Sequence, residues 1–345
     1  MDNKNDVLSR DNHFLSQMYL AAWKNKNGKV MVHELLVPNS HFPLWKSKST
    51  RSVGNYDSMY VRLKNGKEID DIEKWFRDRY ETPAKSALEH AINDERITPG
   101  EWHKLIDFVA CHIVRTPSFI IETLDLAKKY CAPIFEEKCE EISSITKETY
   151  IDSVNTKPND DSDELFPIKI TDLGVSRDNK RMFKIETIFG KQLYLWNMKC
   201  LLENTSKVLH THKWGIITVD KKVILPTSDN PVICLNYNNE NEYDFNGGWG
   251  RKNSNILFPI SPNKILYTQI GSKLISRCNV DYKTSLLLKK IIIEHAYKKI
   301  ISNFEDLSVH KIRTRVIDKN EYEREKKMWE DFQKEYIERE SEFIK

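Results

Sequence analysis

Glycine is scarce in this sequence of 345 residues, which contains only 11 glycines. No G-x-x-x-x-G-K-S/T or G-x-G-x-x-G motif occurs, so the chain lacks the glycine-rich loops that cradle phosphates in P-loop and dinucleotide-binding proteins. G-x-S-x-G and H-E-x-x-H are also absent, which excludes the familiar nucleophile elbow and the helix-borne zinc site. Neither R-x-x-x-x-H nor a P-D step followed by E-x-K is present, so no common nuclease signature is matched.

Paired cysteines and long apolar runs are missing as well. The cysteines form no C-x-x-C pair and no regular framework: Cys111, Cys131, Cys139, Cys200, Cys234 and Cys278. Several lie in apolar segments, which is typical of free buried thiols in a reducing compartment and argues against a cysteine zinc site. No run of about eighteen apolar residues occurs, and the N-terminus has no apolar signal core. We therefore expect a soluble, cytoplasmic protein with no membrane partner.

The charges nearly balance. The formal net charge is +3, so no overall field draws the molecule onto nucleic acid, although local patches remain open. Hydrophobic residues make up 39% and charged residues 30% of the chain, which is the composition of a globular protein.

Hydrophobic periodicity predicts an α+β fold, in which a helical bundle packs against a small, mostly antiparallel sheet. We expect a single domain over residues 1–345. Its parts are an N-terminal β and helical part (about 11–210), a strand-rich part (about 211–315) and a charged terminal helix (319–343). Residues 155–167 read as an acidic surface loop.

Local signals set several boundaries. The helical segment after Glu68 contains Pro83, which should kink it or divide it in two. Thr98 and Pro99 are the residue types expected at an N-cap and at the first helical position. Further on, we predict strands at 222–225 and 307–313 and a helix from about 281 to 303.

The terminal helix has one narrow apolar stripe, formed by Trp329, Phe332, Tyr336 and Phe343. This stripe packs either on its own domain or, in a coiled-coil contact, on another subunit.

Four polar elements stand in otherwise apolar surroundings: His13 with Gln17, His112 with Arg115, the run Ser228-Asp229-Asn230, and Ser261 between two prolines. Each has a structural explanation, because such side chains cap helices and close turns. A buried Arg115, however, needs a partner, since an unpaired buried charge is costly. Asp229 is a natural candidate for that partner.

Together these segments resemble a bacterial family without an assigned activity, domain of unknown function 4238. The resemblance covers most of the chain and rests on H-F-L-S-Q-M-Y-L (13–20), Tyr60, Ile72-Glu73, F-V-A-C-H-I-V-R-T-P (108–117), S-D-N-P (228–231) and P-x-S-P (259–262). Similar proteins more often have glutamine where this chain has His112.

The resemblance implies that these distant motifs share a site at the seam between the helical and strand-rich parts. We predict His13, Arg115 and Asp229 as catalytic residues. The predicted ligand-binding residues are Gln17, His112, Ser228, Asn230 and Ser261. A cation near a carboxylate and a histidine could bind a phosphate and activate water. The same residues could equally form a buried network that pins the two parts together.

Two functional hypotheses follow. The first is an intracellular bacterial effector, a nuclease or nucleotide hydrolase in defence against phage, whose partner is nucleic acid or a nucleotide. Its cofactor is unknown, and a divalent metal at Asp229 would need a second carboxylate, for which Glu73 and Glu81 are the nearest candidates. The second is a non-catalytic sensor for a small anionic ligand or a protein, in which the loop 237–255 and the terminal helix are contact or self-association surfaces.

Overall fold

The structure is a computed structural model that describes residues 11–64, 67–123, 168–175, 181–187 and 191–344. The predictions for the acidic loop 155–167 and for Cys131 and Cys139 lie outside these residues. Within them, helices combine with mostly antiparallel sheets, so the predicted α+β class is confirmed. No helix in the described part of the chain is long and apolar enough to span a membrane.

The helices fall in an N-terminal and a C-terminal group. They are α1 (Gln17–Leu20, continued by a 3-10 turn at Ala21–Trp23), α2 (Asp71–Phe76), α3 (Thr82–Ile92), α4 (Pro99–Val114), α5 (Lys191–His210), α6 (Tyr282–His295), α7 (Leu307–Ile312) and α8 (Lys319–Ile344). A 3-10 turn also covers Thr50–Ser52. One more helical segment begins at residue 117 and is described as far as residue 123.

The strands are short and numerous. In chain order they are β1 (Asp11–His13), β2 (Val30–Glu34), β3 (Leu36–Val37), β4 (Lys46–Lys48), β5 (Asn55–Asp57), β6 (Arg62–Lys64), β7 (Lys67–Ile69), β8 (Ile168–Val175), β9 (Arg181–Thr187), β10 (Gly215–Thr218), β11 (Thr227–Ser228), β12 (Ile233–Asn239), β13 (Glu242–Asp244), β14 (Asn255–Ser261), β15 (Lys264–Gln269), β16 (Arg277–Asn279), β17 (Lys299–Ser302) and β18 (Val316–Ile317).

Two sheets organise the molecule. The larger has the order β13-β12-β14-β15-β10-β16 and is antiparallel except for the pair β10 and β16. The smaller has the order β11-β17-β2-β4 and is antiparallel throughout. In it Val32 lies opposite Ile301, so the second sheet joins the beginning of the chain to its end.

The helix that contains Pro83 is continuous but changes its winding. Between α2 and α3, residues Arg77–Glu81 form a π-helical turn. A proline in a regular α-helix clashes with the carbonyl four residues earlier, here that of Arg79, and wider winding just before Pro83 relieves that clash. The predicted disturbance therefore takes the form of a π-turn.

The start of α4 is as predicted. Thr98 accepts a hydrogen bond from the backbone N–H of Glu101, and the Glu101 side chain accepts one from the backbone N–H of Thr98. This reciprocal capping box, with Pro99 at the first helical position, fixes where α4 begins.

Three predicted elements in the C-terminal half are wrong. Residues 222–225 form no strand, and the segment predicted as a strand at 307–313 contains the helix α7 (Leu307–Ile312) instead. The helix predicted for 281–303 ends at His295, because Ala296 leaves the helical conformation (φ −53°, ψ 140°) and residues 299–302 become β17.

Most of the buried side chains form one core between the N-terminal helices and the larger sheet. Phe108 of α4 and Phe258 of β14 belong to this core together with Leu195 of α5. A second group, which includes Leu257 and Ile291, fills the space between the larger sheet and α6.

The terminal helix packs on the chain itself at Trp329. The Trp329 ring stacks on Tyr56 with a centroid separation of 4.9 Å, and Lys298 pairs with Glu325 at 2.9 Å. Trp329 therefore packs on its own domain, the first of the two alternatives for the terminal helix. The side chains of Phe332, Tyr336 and Phe343 are outside the described part.

Candidate functional site

Arg115 is the centre of a buried polar cluster. It follows the last residue of α4, and its side chain is fully buried. One guanidinium nitrogen lies 2.5 Å from Glu81 Oε1, and the other donates to the backbone carbonyl of His13. The ring of Phe76 lies below the guanidinium at 4.7 Å. The prediction that Asp229 is the partner of Arg115 is wrong, because the carboxylate that pairs with Arg115 belongs to Glu81.

The ion pair sets the ionisation of both partners. Burial alone would raise the pKa of Glu81, but the adjacent Arg115 guanidinium outweighs it and holds the pKa below its usual value. Burial would lower the pKa of Arg115, and Glu81 more than offsets that effect. Both groups are therefore charged at neutral pH, as a well-formed buried ion pair requires.

His13 lies between a carboxylate and an amide. Its Nδ1 is 3.8 Å from Glu73 Oε1, and its backbone N–H donates to the same oxygen at 3.4 Å. On its other side, the Gln17 amide lies 3.1 Å from His13 Nε2. We refer to His13, Gln17, Glu73, Glu81 and Arg115 as the Arg115 cluster.

A surface pocket of about 930 Å³ opens beside this cluster. Gln17 and Glu81 belong to both the cluster and the pocket wall, and Ser261 lines the opposite wall. The pocket thus lies between α1, α3 and the turn that connects β14 to β15. Its volume is within the range of small-molecule sites.

The remaining lining combines cations with an apolar surface. Lys24 and Lys85 are exposed at the rim, and Asn263 contributes an amide. The apolar lining comes from Met18, Ala21, Ala22, Leu88 and Ile92. A ligand with a flat apolar part and an anionic group would match this surface.

The π-turn places Glu81 at the boundary between cluster and pocket. Glu81 is the last residue of that turn, and its side chain is one-fifth exposed, whereas Arg115 is sealed. Such turns occur often at functional sites because they redirect a side chain without ending the helix. Pro83 thus explains the unusual position of Glu81.

Ser261 shapes the pocket wall through its own turn. Its hydroxyl donates to Asn263 Oδ1 at 2.7 Å and accepts from the backbone N–H of Asn263 at 3.4 Å. The second of these bonds closes the turn from Ser261 to Asn263, a common role for serine. Ser261 therefore fixes the position of Asn263 on the pocket wall.

Asp229 lies apart from the Arg115 cluster. No hydrogen bond or ion pair among the described residues joins it to His13, Gln17 or Arg115. Its carboxylate accepts from the backbone N–H groups of Tyr297 and Lys298 at 2.8 to 3.1 Å. Burial raises the pKa of Asp229, and the Lys299 ammonium and these backbone bonds oppose that shift. The described contacts do not join Asp229 to His13, Gln17 and Arg115. They tie its carboxylate to the segment between α6 and β17.

The neighbours of Asp229 have local roles. Ser228 Oγ accepts from the backbone N–H of Asn230 at 3.2 Å, and the Asn230 carbonyl accepts from His295 Nδ1 at 3.0 Å. The polar turn that interrupts the buried segment therefore ties β11 to the end of α6. These contacts are those of a polar turn with a structural role, which is one of the two interpretations given for Ser228-Asp229-Asn230.

His112 packs in an aromatic environment. Its Nδ1 donates to the Phe108 carbonyl at 2.9 Å, and its ring lies 5.2 Å from that of Tyr19 and 5.4 Å from that of Phe258. Burial, reinforced by the Arg115 cation, lowers the pKa of His112 to about 3. His112 is neutral at ordinary pH and does not line the pocket. The geometry therefore favours a packing role for His112 over the predicted ligand-binding role.

Lys24, Lys85 and Asn263 were not among the predicted site residues. One signal in the sequence could have indicated Lys85, because it lies four residues after Glu81 and shares a helix face with it. Lys24 and Asn263 come from loops that are distant in sequence, and no sequence pattern indicates that they belong to the site.

Among the described residues, no group of three or more His, Cys, Asp or Glu side chains is arranged to hold a metal ion. Glu73 and Glu81, the carboxylates proposed to accompany Asp229, both lie in the Arg115 cluster instead. Cys111, Cys234 and Cys278 are free thiols.

Comparison with known proteins gives one match. Residues 11–306 match the family described as "Protein of unknown function (DUF4238)". No curated protein and no solved structure matches the chain.

Proposed function

The chain belongs to the DUF4238 family, and from its candidate site we propose that it binds a small anionic ligand of the nucleotide type in the pocket beside the Arg115 cluster. The exposed lysines Lys24 and Lys85 would receive the anionic group. Glu81 would accept hydrogen bonds from donors on the ligand. The apolar lining would cover the ring.

One observation carries this proposal: a fully buried arginine holds Glu81, 2.5 Å away, at the wall of an open pocket. A buried ion pair is a weak source of net stability, because desolvation offsets much of the attraction. It does hold the carboxylate in one position and keep it ionised, and binding sites gain affinity from this kind of preorganisation.

The test is a thermal-shift screen of the full chain with UMP, AMP, ATP and inorganic phosphate, followed by calorimetric titration of any that stabilise it. We expect a nucleotide to raise the melting temperature by mass action. Lys85→Gln should weaken its binding about tenfold, since a charge-assisted hydrogen bond is lost. Gln17→Ala, also on the pocket wall, should weaken it as well.

Lys221→Gln is the matched control, because Lys221 is exposed and does not line the pocket. The nucleotide affinity of Lys221→Gln should equal that of the wild type. Equal loss in Lys85→Gln and Lys221→Gln, or no stabilisation by any of the four probes, would overturn the proposal.

A second candidate is hydrolysis of the bound nucleotide or of nucleic acid, as a cytoplasmic bacterial effector in defence against phage. The position of His13 favours it, because Glu73 lies on one side of the ring and the pocket residue Gln17 on the other. If Gln17 swings aside, His13 Nε2 can take a proton from water. The water oxygen then bonds to phosphorus, and the bond to the leaving oxygen breaks. Glu73 would stabilise the imidazolium.

Phosphorus NMR of the same titration samples separates the two candidates. Hydrolysis predicts that the wild type consumes the nucleotide and that His13→Asn binds it without consuming it. Intact nucleotide after prolonged incubation with the wild type supports binding alone.

A further inference from the structure

A second pocket lies next to the first. It has a volume of about 510 Å³ and is lined by the loop 24–27, Met31 and residues 303–305. Lys24 lines both pockets, so the two lie on either side of this lysine. We call the combined surface the Lys24 groove.

The charges of the groove favour an anionic ligand. Three exposed lysines line it, Lys24, Lys26 and Lys85. Glu81 is compensated by Arg115, which leaves Glu89 and Glu305 as the uncompensated carboxylates of the lining. Three lysines against two uncompensated carboxylates leave the groove a net charge of +1, with a lysine in each pocket.

The smaller pocket also contains groups suited to a base. Phe304 is 38% exposed and presents a ring on which a base can stack. Next to it, Asn303 Oδ1 is a buried oxygen without a hydrogen-bond partner in the described structure. A base amino group could donate to that oxygen.

The loop that carries Lys24 and Lys26 has a fixed shape. Asn25 Oδ1 accepts from the backbone N–H groups of Asn27 and Lys29 at 3.0 and 3.2 Å. Gly28 has a positive φ of 70°, which closes the turn into β2. The lysines therefore project from a preorganised turn.

We propose that the Lys24 groove binds single-stranded nucleic acid. One nucleotide occupies the larger pocket beside Glu81, and its neighbour along the strand occupies the smaller pocket against Phe304. Lysine charges that follow a backbone, combined with an aromatic platform for a base, are the recurring features of such sites. This inference rests on the proposed function, because it assigns the larger pocket to one nucleotide of the strand.

The test uses fluorescence anisotropy with labelled oligouridylate and oligodeoxythymidylate of about eight nucleotides, a typical single-strand site size. We expect binding tighter than that of UMP and a loss of affinity as salt rises from about 50 to 200 mM. The two oligonucleotides distinguish RNA from DNA. A labelled duplex of equal length should bind more weakly than either single strand.

Lys26→Gln and Phe304→Ala change only the smaller pocket. Each should weaken oligonucleotide binding about tenfold, as expected for a lost phosphate contact or stacking platform, and leave UMP binding unchanged. Lys221→Gln should affect neither. Melting temperatures close to that of the wild type verify that the variants fold.

The outcomes separate the two proposals. If UMP binds but oligonucleotides bind no tighter, or if Phe304→Ala and Lys26→Gln have no effect, the groove inference is overturned and the nucleotide pocket stands. If neither UMP nor oligonucleotides bind, both are overturned. Preferential binding of the duplex would also contradict the inference.

Discussion

Arg115 shows how one residue can organise several segments. Its guanidinium contacts Glu81 and the carbonyl of His13, and its own carbonyl accepts from the Tyr60 hydroxyl at 3.2 Å. Tyr60, His13 and Arg115 all come from the motifs that carry the family resemblance. An arginine suits this position because its planar fork can satisfy several acceptors at once.

Whether the buried arginine has a partner could be predicted from the sequence, but not which partner. An arginine in an apolar helix requires a carboxylate, and several were available. Glu81 and Asp229 look equally suitable in a sequence, because neither spacing nor composition reports distance in the fold. The sequence points to Glu81 only as a second carboxylate for a metal, and the contact of Glu81 with Arg115 forms next to a π-turn that no sequence pattern reveals.

His112 gives a pH prediction at this scale. The pKa of His112 is about 3 in the folded protein and 6.5, the ordinary value of histidine, in the unfolded chain, so the unfolded chain takes up a proton more readily below pH 6.5. The stability that neutral His112 preserves is therefore complete above pH 6.5. It is lost as the pH falls towards 3, at about 1.4 kcal/mol per pH unit for this one group.

His112→Gln removes this titration and introduces the residue that similar proteins more often have. Urea unfolding of the wild type and of His112→Gln between pH 7 and pH 4.5 measures the contribution of this titration to stability. We expect the unfolding free energy of the wild type to decrease more steeply with acidification, by about that amount per pH unit below pH 6.5. Equal slopes for the two proteins would contradict the account of His112 as a buried neutral histidine.

At the scale of elements, the sequence was most reliable where signals are local. The capping box at Thr98 and the start of α4 at Pro99 follow from neighbouring residues. The helix predicted to continue to 303 fails for a tertiary reason, since Asp229 binds the N–H groups of Tyr297 and Lys298 and β17 pairs with β2.

The segment 307–313 was misassigned for a different reason. Its alternation resembles a strand, but Asp306 caps a helix by accepting from the backbone N–H of Ser308 at 3.0 Å. The aspartate before this segment was the signal for a helix start, and it was available in the sequence.

The terminal helix supplies a prediction for an element. Trp329 is buried against Tyr56, whereas Met328 on the same helix is 44% exposed. Trp329→Ala should lower the unfolding free energy by about 3 kcal/mol in urea denaturation, and Met328→Ala by less than about 0.5 kcal/mol.

This comparison also distinguishes packing within the chain from packing between subunits. If Trp329 packs within the chain, the decrease in unfolding free energy caused by Trp329→Ala should be the same at every protein concentration. A loss that grows with concentration would place Trp329 in a subunit interface instead, because association adds a concentration-dependent term.

At the scale of the whole molecule, the pocket is assembled from α1, α3 and the β14–β15 turn, which are far apart in the sequence. For this reason the site could be predicted only in part. Gln17 and Ser261 were predicted to contribute to one site and do line the same pocket. Asp229 was placed with them because its motif is polar, yet its carboxylate closes a turn elsewhere in the fold.

Amide hydrogen exchange of the full chain, with and without saturating UMP, tests the central claim most directly. Binding in the pocket predicts slower exchange over residues 17–24, 81–92 and 261–263, where the backbone lines the ligand. Residues 227–230 and 296–299, around Asp229, should exchange at unchanged rates. Protection confined to the Asp229 segments, or no protection at all, would contradict the assignment of the Arg115 cluster and its pocket as the functional site.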